Sequence, residues 1–84
     1  MNKEDIIKIL QNKIALDILN MPNKTINKDE PIITSSLIDS FSLVDLAIIV
    51  ENNFKVRIED YELNSDVFDT IEQLAEIIAE RITQ

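Results

Sequence analysis

The sequence predicts an all-α fold, a four-helix bundle with three longer helices, one short third helix and a long first loop. Three observations point there. Apolar residues recur at helical steps of three and four in three separate stretches, proline and turn formers divide those stretches, and strand-like alternation is weak and brief. The 84 residues make one domain, and a chain of this length buries about 60% of the surface it exposes when unfolded. No repeat and no change of composition marks a boundary, so residues 1–84 are read as a single domain.

Ile7, Leu10, Ile14 and Ile18 form one stripe and predict a first helix from about Lys3 to Leu19. Asn20, Met21 and Pro22 end it. From there to Ile38, two prolines and a run of turn formers predict a long loop. Loops of that length in small domains are held by apolar anchors or serve function, and Ile26, Ile32, Ile33 and Leu37 are the candidate anchors.

The second helix is expected to begin near Ser40 with Asp39 as its N-cap, and Leu43, Leu46, Ala47, Val50 and Phe54 form its core face. Phe41, Val44 and Ile48 make a second apolar row about 130° away at 100° per residue. That row is either extra core beneath the long loop or an exposed docking surface. A domain this small has little room to bury both faces, which favours docking. After Phe54 an acidic stretch with apolar anchors at Val56, Ile58, Tyr61, Leu63, Val67 and Phe68 predicts a loop with one short helical turn. Thr70 and Gln73 then read as a capping box, followed by the stripe Ile71, Leu74, Ala75, Ile78 and Ile82.

Composition removes several classes of function. The formal charge of −8 opposes binding to a phosphate backbone, which depends on clustered Lys and Arg, so no nucleic-acid partner is expected. A basic protein partner fits better. With no cysteine there is no disulfide, zinc-thiolate or iron–sulfur site, and with no histidine there is no Ser-His-Asp or Cys-His device. The absence of glycine removes the turns that bring backbone against a nucleotide pyrophosphate. A catalytic residue is therefore not expected. The acidic stretch from Asp60 to Asp66 looks at first like a calcium loop, but Ser65 stands where the sharp turn needs glycine and Ile71 replaces the closing glutamate. No metal site is expected.

The run Leu37-Ile38-Asp39-Ser40-Phe41-Ser42-Leu43-Val44-Asp45-Leu46, with Glu51 and Phe54 on the same helix, resembles the acyl carrier protein family. The likeness extends through Val56, Ile58 and Asp60 to the run Phe68-Asp69-Thr70-Ile71. It covers nearly the whole chain, although the first helix matches only in pattern. The resemblance implies a four-helix carrier fold, with Ser40 bearing a covalent 4′-phosphopantetheine derived from coenzyme A and Asp39 as the preceding aspartate of the motif. It also implies an apolar docking centre on the second helix, here Phe41, Val44 and Ile48, with Asp45 and Glu51 as its acidic rim. The implied partners are a phosphopantetheinyl transferase, an acyl- or aminoacyl-loading ligase or transferase, and a downstream synthase or oxidase.

The chain departs from primary fatty-acid carriers in several places. Ile38 precedes the Asp-Ser pair where glycine is usual, Phe41 follows it where leucine is usual, and Ser42 replaces an acid. Asn52 and Asn53 thin out the acids after Glu51, and Arg57 adds a positive charge. The Asp39-Ser40-Phe41-Ser42 form, together with the longer approach from Leu63 and Asn64 to Phe68, Asp69 and Thr70 before the last helix, looks more like discrete carriers of specialised pathways, aminoacyl or polyketide-type, than like a housekeeping carrier. Ser40 also has a plainer reading as a helix-capping serine, and a cofactor-free acidic helical adaptor is the competing function. The N-terminal segment lacks a signal-peptide pattern, and no run approaches the roughly 20 apolar residues of a membrane span. A cytoplasmic monomer without membrane association is expected.

Overall fold

The computed structural model describes residues 1–82 and is all-helical, with no strand among them. The first helix, α1, runs over Lys3–Lys13. The Asn2 side chain caps it by accepting the Asp5 N–H at 2.9 Å, and Glu4 and Asp5 place negative charge at the positive end of the dipole. Ile6, Ile7 and Leu10 are its buried residues.

The helix then continues as one wider π-helical segment, Ile14–Ile18, so the expected span is met but its pitch changes after Lys13. Ile14 and Ala15 are buried there. Termination uses Asn20 in the left-handed region at φ 54°, which lets the Met21 N–H reach back to the Ala15 carbonyl at 2.8 Å. Glycine ordinarily fills such a position, and Asn is the side chain that best replaces it.

The second helix, α2, spans Ser42–Phe54, and buries Leu43, Leu46, Ile49, Val50 and Phe54. Its end is set by Lys55, left-handed at φ 58° and ψ 34°, whose N–H bonds the Glu51 carbonyl at 3.0 Å. The third helix, α3, spans Ile71–Ile82, with Ile71, Leu74, Ala75 and Ile78 buried. Between α2 and α3 the expected short helix is a single 3₁₀ turn, Asp60–Glu62, closed by a capping box between Glu59 and Glu62. Leu63 leaves helical geometry at ψ 65°, so the turn does not propagate. The bundle accordingly has three α-helices and this one turn.

Packing follows the stripes. α1 lies along α3, while α2 rests on the π segment and on α3. Aliphatic side chains fill the core around Phe68. The long first connection contributes Ile26 and Ile32, as expected, together with Ile38, while Ile33 and Leu37 are half-buried against the cluster. No helix of the described residues is long and apolar enough to cross a membrane.

Candidate functional site

Asp39 and Ser40 occupy the turn that leads into α2, and both are exposed. The Asp39 carboxylate accepts the Ser42 N–H at 2.8 Å, and its carbonyl accepts the Leu43 N–H at 3.2 Å. The second bond is already a helical step, so the turn at Ser40 and Phe41, which Asp39 closes, leads directly into α2, whose regular helix begins two residues after the expected start, at Ser42. Hydrogen bonds from the Ser42 amide and hydroxyl hold the Asp39 carboxyl below its ordinary pKa, against a small opposing effect of burial. The Ser40 hydroxyl makes no hydrogen bond among the described residues, while the flanking Asp39 and Ser42 are bonded to one another. Ser40 is thus the unengaged hydroxyl at this helix start. Because the Asp39 anion already uses one terminal donor, the helix dipole offers a second anion here less than an uncapped end would.

Phe41 is 87% exposed, Val44 50% and Ile48 51%, which rules out the reading of this row as core beneath the loop. Buried Leu43, Leu46 and Val50 lie on the opposite side of the helix. Asp45 and Glu51 are also exposed and flank the row. Their surroundings are acidic as well. Five of the eight cationic residues (Lys3, Lys8, Lys13, Lys24, Lys28) come before Asp29, and thirteen of the sixteen acids lie at or after it. The part of the chain that carries α2 and α3 therefore has most of the negative charge, which attracts a cationic surface.

What precedes Ser40 is irregular but held. Ile38 donates its N–H to the Ile32 carbonyl at 2.9 Å, and Ile32 donates to the Asp69 carbonyl at 2.7 Å. The Asp69 carboxylate accepts the Ile33 and Thr34 amides at 2.8 and 2.9 Å on one oxygen and the Thr34 hydroxyl at 2.6 Å on the other. Those bonds, the Thr34 hydroxyl first and its amide next, hold the Asp69 carboxyl below its ordinary pKa. The sequence places Asp69 in the run Phe68-Asp69-Thr70-Ile71 but gives no sign of this role. The partners of its carboxylate are 35 and 36 residues away, and its only local signal is its place just before the Thr70–Gln73 box.

The acidic stretch is not arranged as a cation loop. The Glu62 carboxylate turns inward to a bidentate pair with Arg81 and also accepts the Glu59 amide at 3.0 Å. The Asn64 side chain turns back on Asp66 and Tyr61. A shallow groove of about 210 Å³ lies over Glu4, Ile7, Lys8, Gln11 and Lys28 and shares no residue with the Ser40 region. No family model, curated protein or solved structure matches the chain.

Proposed function

We propose that this chain is a carrier protein of the acyl carrier type, non-catalytic itself, which holds an acyl or aminoacyl group as a thioester on 4′-phosphopantetheine attached to Ser40. The observation that carries the reading is one of placement. An exposed, unengaged serine hydroxyl sits behind a capping aspartate, at the head of an exposed apolar row with acidic flanks. An attached arm displaces no native contact there, which is the sense in which the residues fit the group. The arm supplies the thiol that this cysteine-free chain lacks.

Each residue has a defined part. Ser40 Oγ attacks the phosphorus of coenzyme A that bears the pantetheine. The Oγ–P bond forms, the bond to 3′,5′-ADP breaks, and the hydroxyl proton goes to a base on the transferase. Asp39 fixes the turn and, as an engaged cap, is not that base. Phe41, Val44 and Ile48 supply apolar contact to a partner, and Asp45 and Glu51 steer a basic surface towards it, contributing to encounter rate more than to affinity. Exposed apolar rows of this kind suit transient complexes. The Phe41-Ser42 form of the motif favours a discrete carrier of a specialised pathway in the cytoplasm, acting as a monomer.

Incubation with coenzyme A and a broad-specificity phosphopantetheinyl transferase is expected to add one arm to the intact protein and none to Ser40→Ala. Val44→Asp and Ile48→Asp should remain folded and be modified more slowly. Wild type that stays unmodified, or Ser40→Ala that is still modified, would refute the assignment. Challenging the loaded carrier with amino-acid adenylating and with acyl-transfer enzymes separates the two cargo classes.

A further inference from the structure

We propose that Asp69 is a positioning residue for Ser40, holding the segment that presents the serine to the transferase although it belongs to the start of α3. The inference rests on the carrier reading above.

The segment from Pro31 to Ile38 has no regular secondary structure of its own. Two of its residues are buried, Ile32 at 0% and Ile38 at 2% exposure, and the Ile38–Ile32 hydrogen bond at 2.9 Å closes the loop between them. Asp39 and Ser40 follow directly. Whatever fixes Ile32 and its neighbours therefore fixes the point from which the helix start departs. That fixing is concentrated on one residue. The Asp69 carbonyl accepts from Ile32, and its carboxylate accepts from the Ile33 amide, the Thr34 amide and the Thr34 hydroxyl.

An aspartate just before a helix ordinarily caps that helix with its own side chain. Asp69 does not. The Thr70 hydroxyl takes the Gln73 amide at 3.1 Å, and the Gln73 side chain returns to the Asp69 amide at 2.7 Å. The capping box thus satisfies the start of α3 and locks the Asp69 backbone, while the carboxylate is left to the distant loop. Phe68, 1% exposed, anchors the same point in the core. The path runs from core and α3 to Asp69, through Ile32 and Ile38, to Asp39 and Ser40, each step a hydrogen bond or a run of backbone.

A loop freed of this clamp samples arrangements in which Ser40 is misplaced for transfer. The apparent affinity of a partner then falls by the fraction of molecules still correctly arranged, with the rate at saturation little changed. The test is steady-state transfer of the arm with the carrier as the varied substrate, alongside amide exchange of Ile38. Asp69→Ala is expected to raise KM about tenfold with kcat near wild type, and to speed Ile38 exchange. Thr34→Val, which removes one of the bonds, gives a smaller rise. Asp69→Asn keeps a carbonyl oxygen for the two amides and recovers part of the loss. Ile78→Val weakens the core, which it shares with Ile32 and Ile38, but removes none of the loop's hydrogen bonds and leaves KM unchanged, as does Asp66→Ala, an exposed acid nearby.

Equal KM values for Asp69→Ala and Ile78→Val, or unaltered Ile38 exchange in Asp69→Ala, overturn the positioning role and leave the carrier reading standing. Wild type that accepts no arm overturns both. Should Asp69→Ala fail to fold, Thr34→Val decides, and wild-type KM with wild-type exchange in that variant overturns the role.

Discussion

Two irregular connections join the helices, residues 19–41 and 55–70, and a charged side chain at each end of α3 holds one of them, the first being tied as well by Lys28, which pairs with Glu72 at 3.4 Å and accepts its N–H at 2.9 Å. At the start of α3 the anion Asp69 accepts hydrogen bonds from the first connection. At its end the cation Arg81 donates to the second, to the Arg57 carbonyl at 2.8 Å and to Glu62. Both charges complement the helix dipole, negative at the N-terminus and positive at the C-terminus. The difference lies in what each one holds. Asp69 meets mainly backbone amides and a hydroxyl in a loop open to solvent, whereas Arg81 meets a second charge that is buried, Glu62 being only 8% exposed. The first arrangement can loosen without stranding a charge. The second cannot, so the connection leading to Ser40 is the adaptable one and the other is structural.

The largest expected effect comes from breaking the second tie. Arg81→Ala leaves Glu62 buried without its cation, and should cost about 2 kcal/mol in urea unfolding. That is less than the 3–5 kcal/mol typical of a fully buried pair, because a third of the Arg81 side chain reaches solvent. Replacing the pair together, by Arg81→Met with Glu62→Leu, should restore most of the loss, since no charge is then stranded. A double variant no more stable than Arg81→Ala would show that the connection is held by something other than this pair.

Acid sharpens the same contrast. Arg81 holds the Glu62 carboxyl below its ordinary pKa, chiefly through their hydrogen bond, and Thr34 and the loop amides do so for Asp69. A carboxyl lowered by folding stabilises the protein above its unfolded pKa, and that contribution is lost as pH falls through the lowered folded value. Stability should therefore fall as pH drops below about 4. It should be nearly flat from pH 5 to 8, because the chain has no histidine. Asp69→Asn should flatten the acid limb while Ile38 exchange becomes less sensitive to pH. An acid limb identical to wild type in that variant would mean that the Asp69 charge adds nothing to its hydrogen bonds.

These ties also mark where reading the sequence stops. The stripes of α1, α2 and α3, the Asp39 and Thr70–Gln73 caps and the outward row Phe41, Val44 and Ile48 follow from spacings of four residues or fewer, so the local pattern carries them. The clamp at Asp69 and the pair Arg81–Glu62 join residues 35, 36 and 19 apart, and no local pattern encodes such a meeting. Ile38 belongs here too, since its burial follows from its bond to Ile32 rather than from any periodicity. The short third helix was legible as a turn but not as a single 3₁₀ turn, because its length depends on where Glu62 is drawn inward. The π segment after Lys13 left no mark in the stripe, which reads the same at either pitch over so few residues.

The smallest expected effect compares how the two connections begin. Each departs from a helix through a left-handed residue, Asn20 at φ 54° and Lys55 at φ 58°, in a chain that has no glycine. Asn tolerates that region because its short amide hydrogen-bonds locally, whereas the Lys side chain meets the full steric cost of its Cβ, of order 1–2 kcal/mol. Glycine removes that cost but widens the unfolded ensemble by up to about 1 kcal/mol, so Lys55→Gly should stabilise by about 0.5–1 kcal/mol and Asn20→Gly by less. Thermal unfolding of the two variants side by side measures the difference. If Asn20→Gly gained as much as Lys55→Gly, the backbone at residue 20 would be as strained as that at residue 55, and the connection leading to Ser40 would carry strain at Asn20 as well as a clamp at Ile32, Ile33 and Thr34.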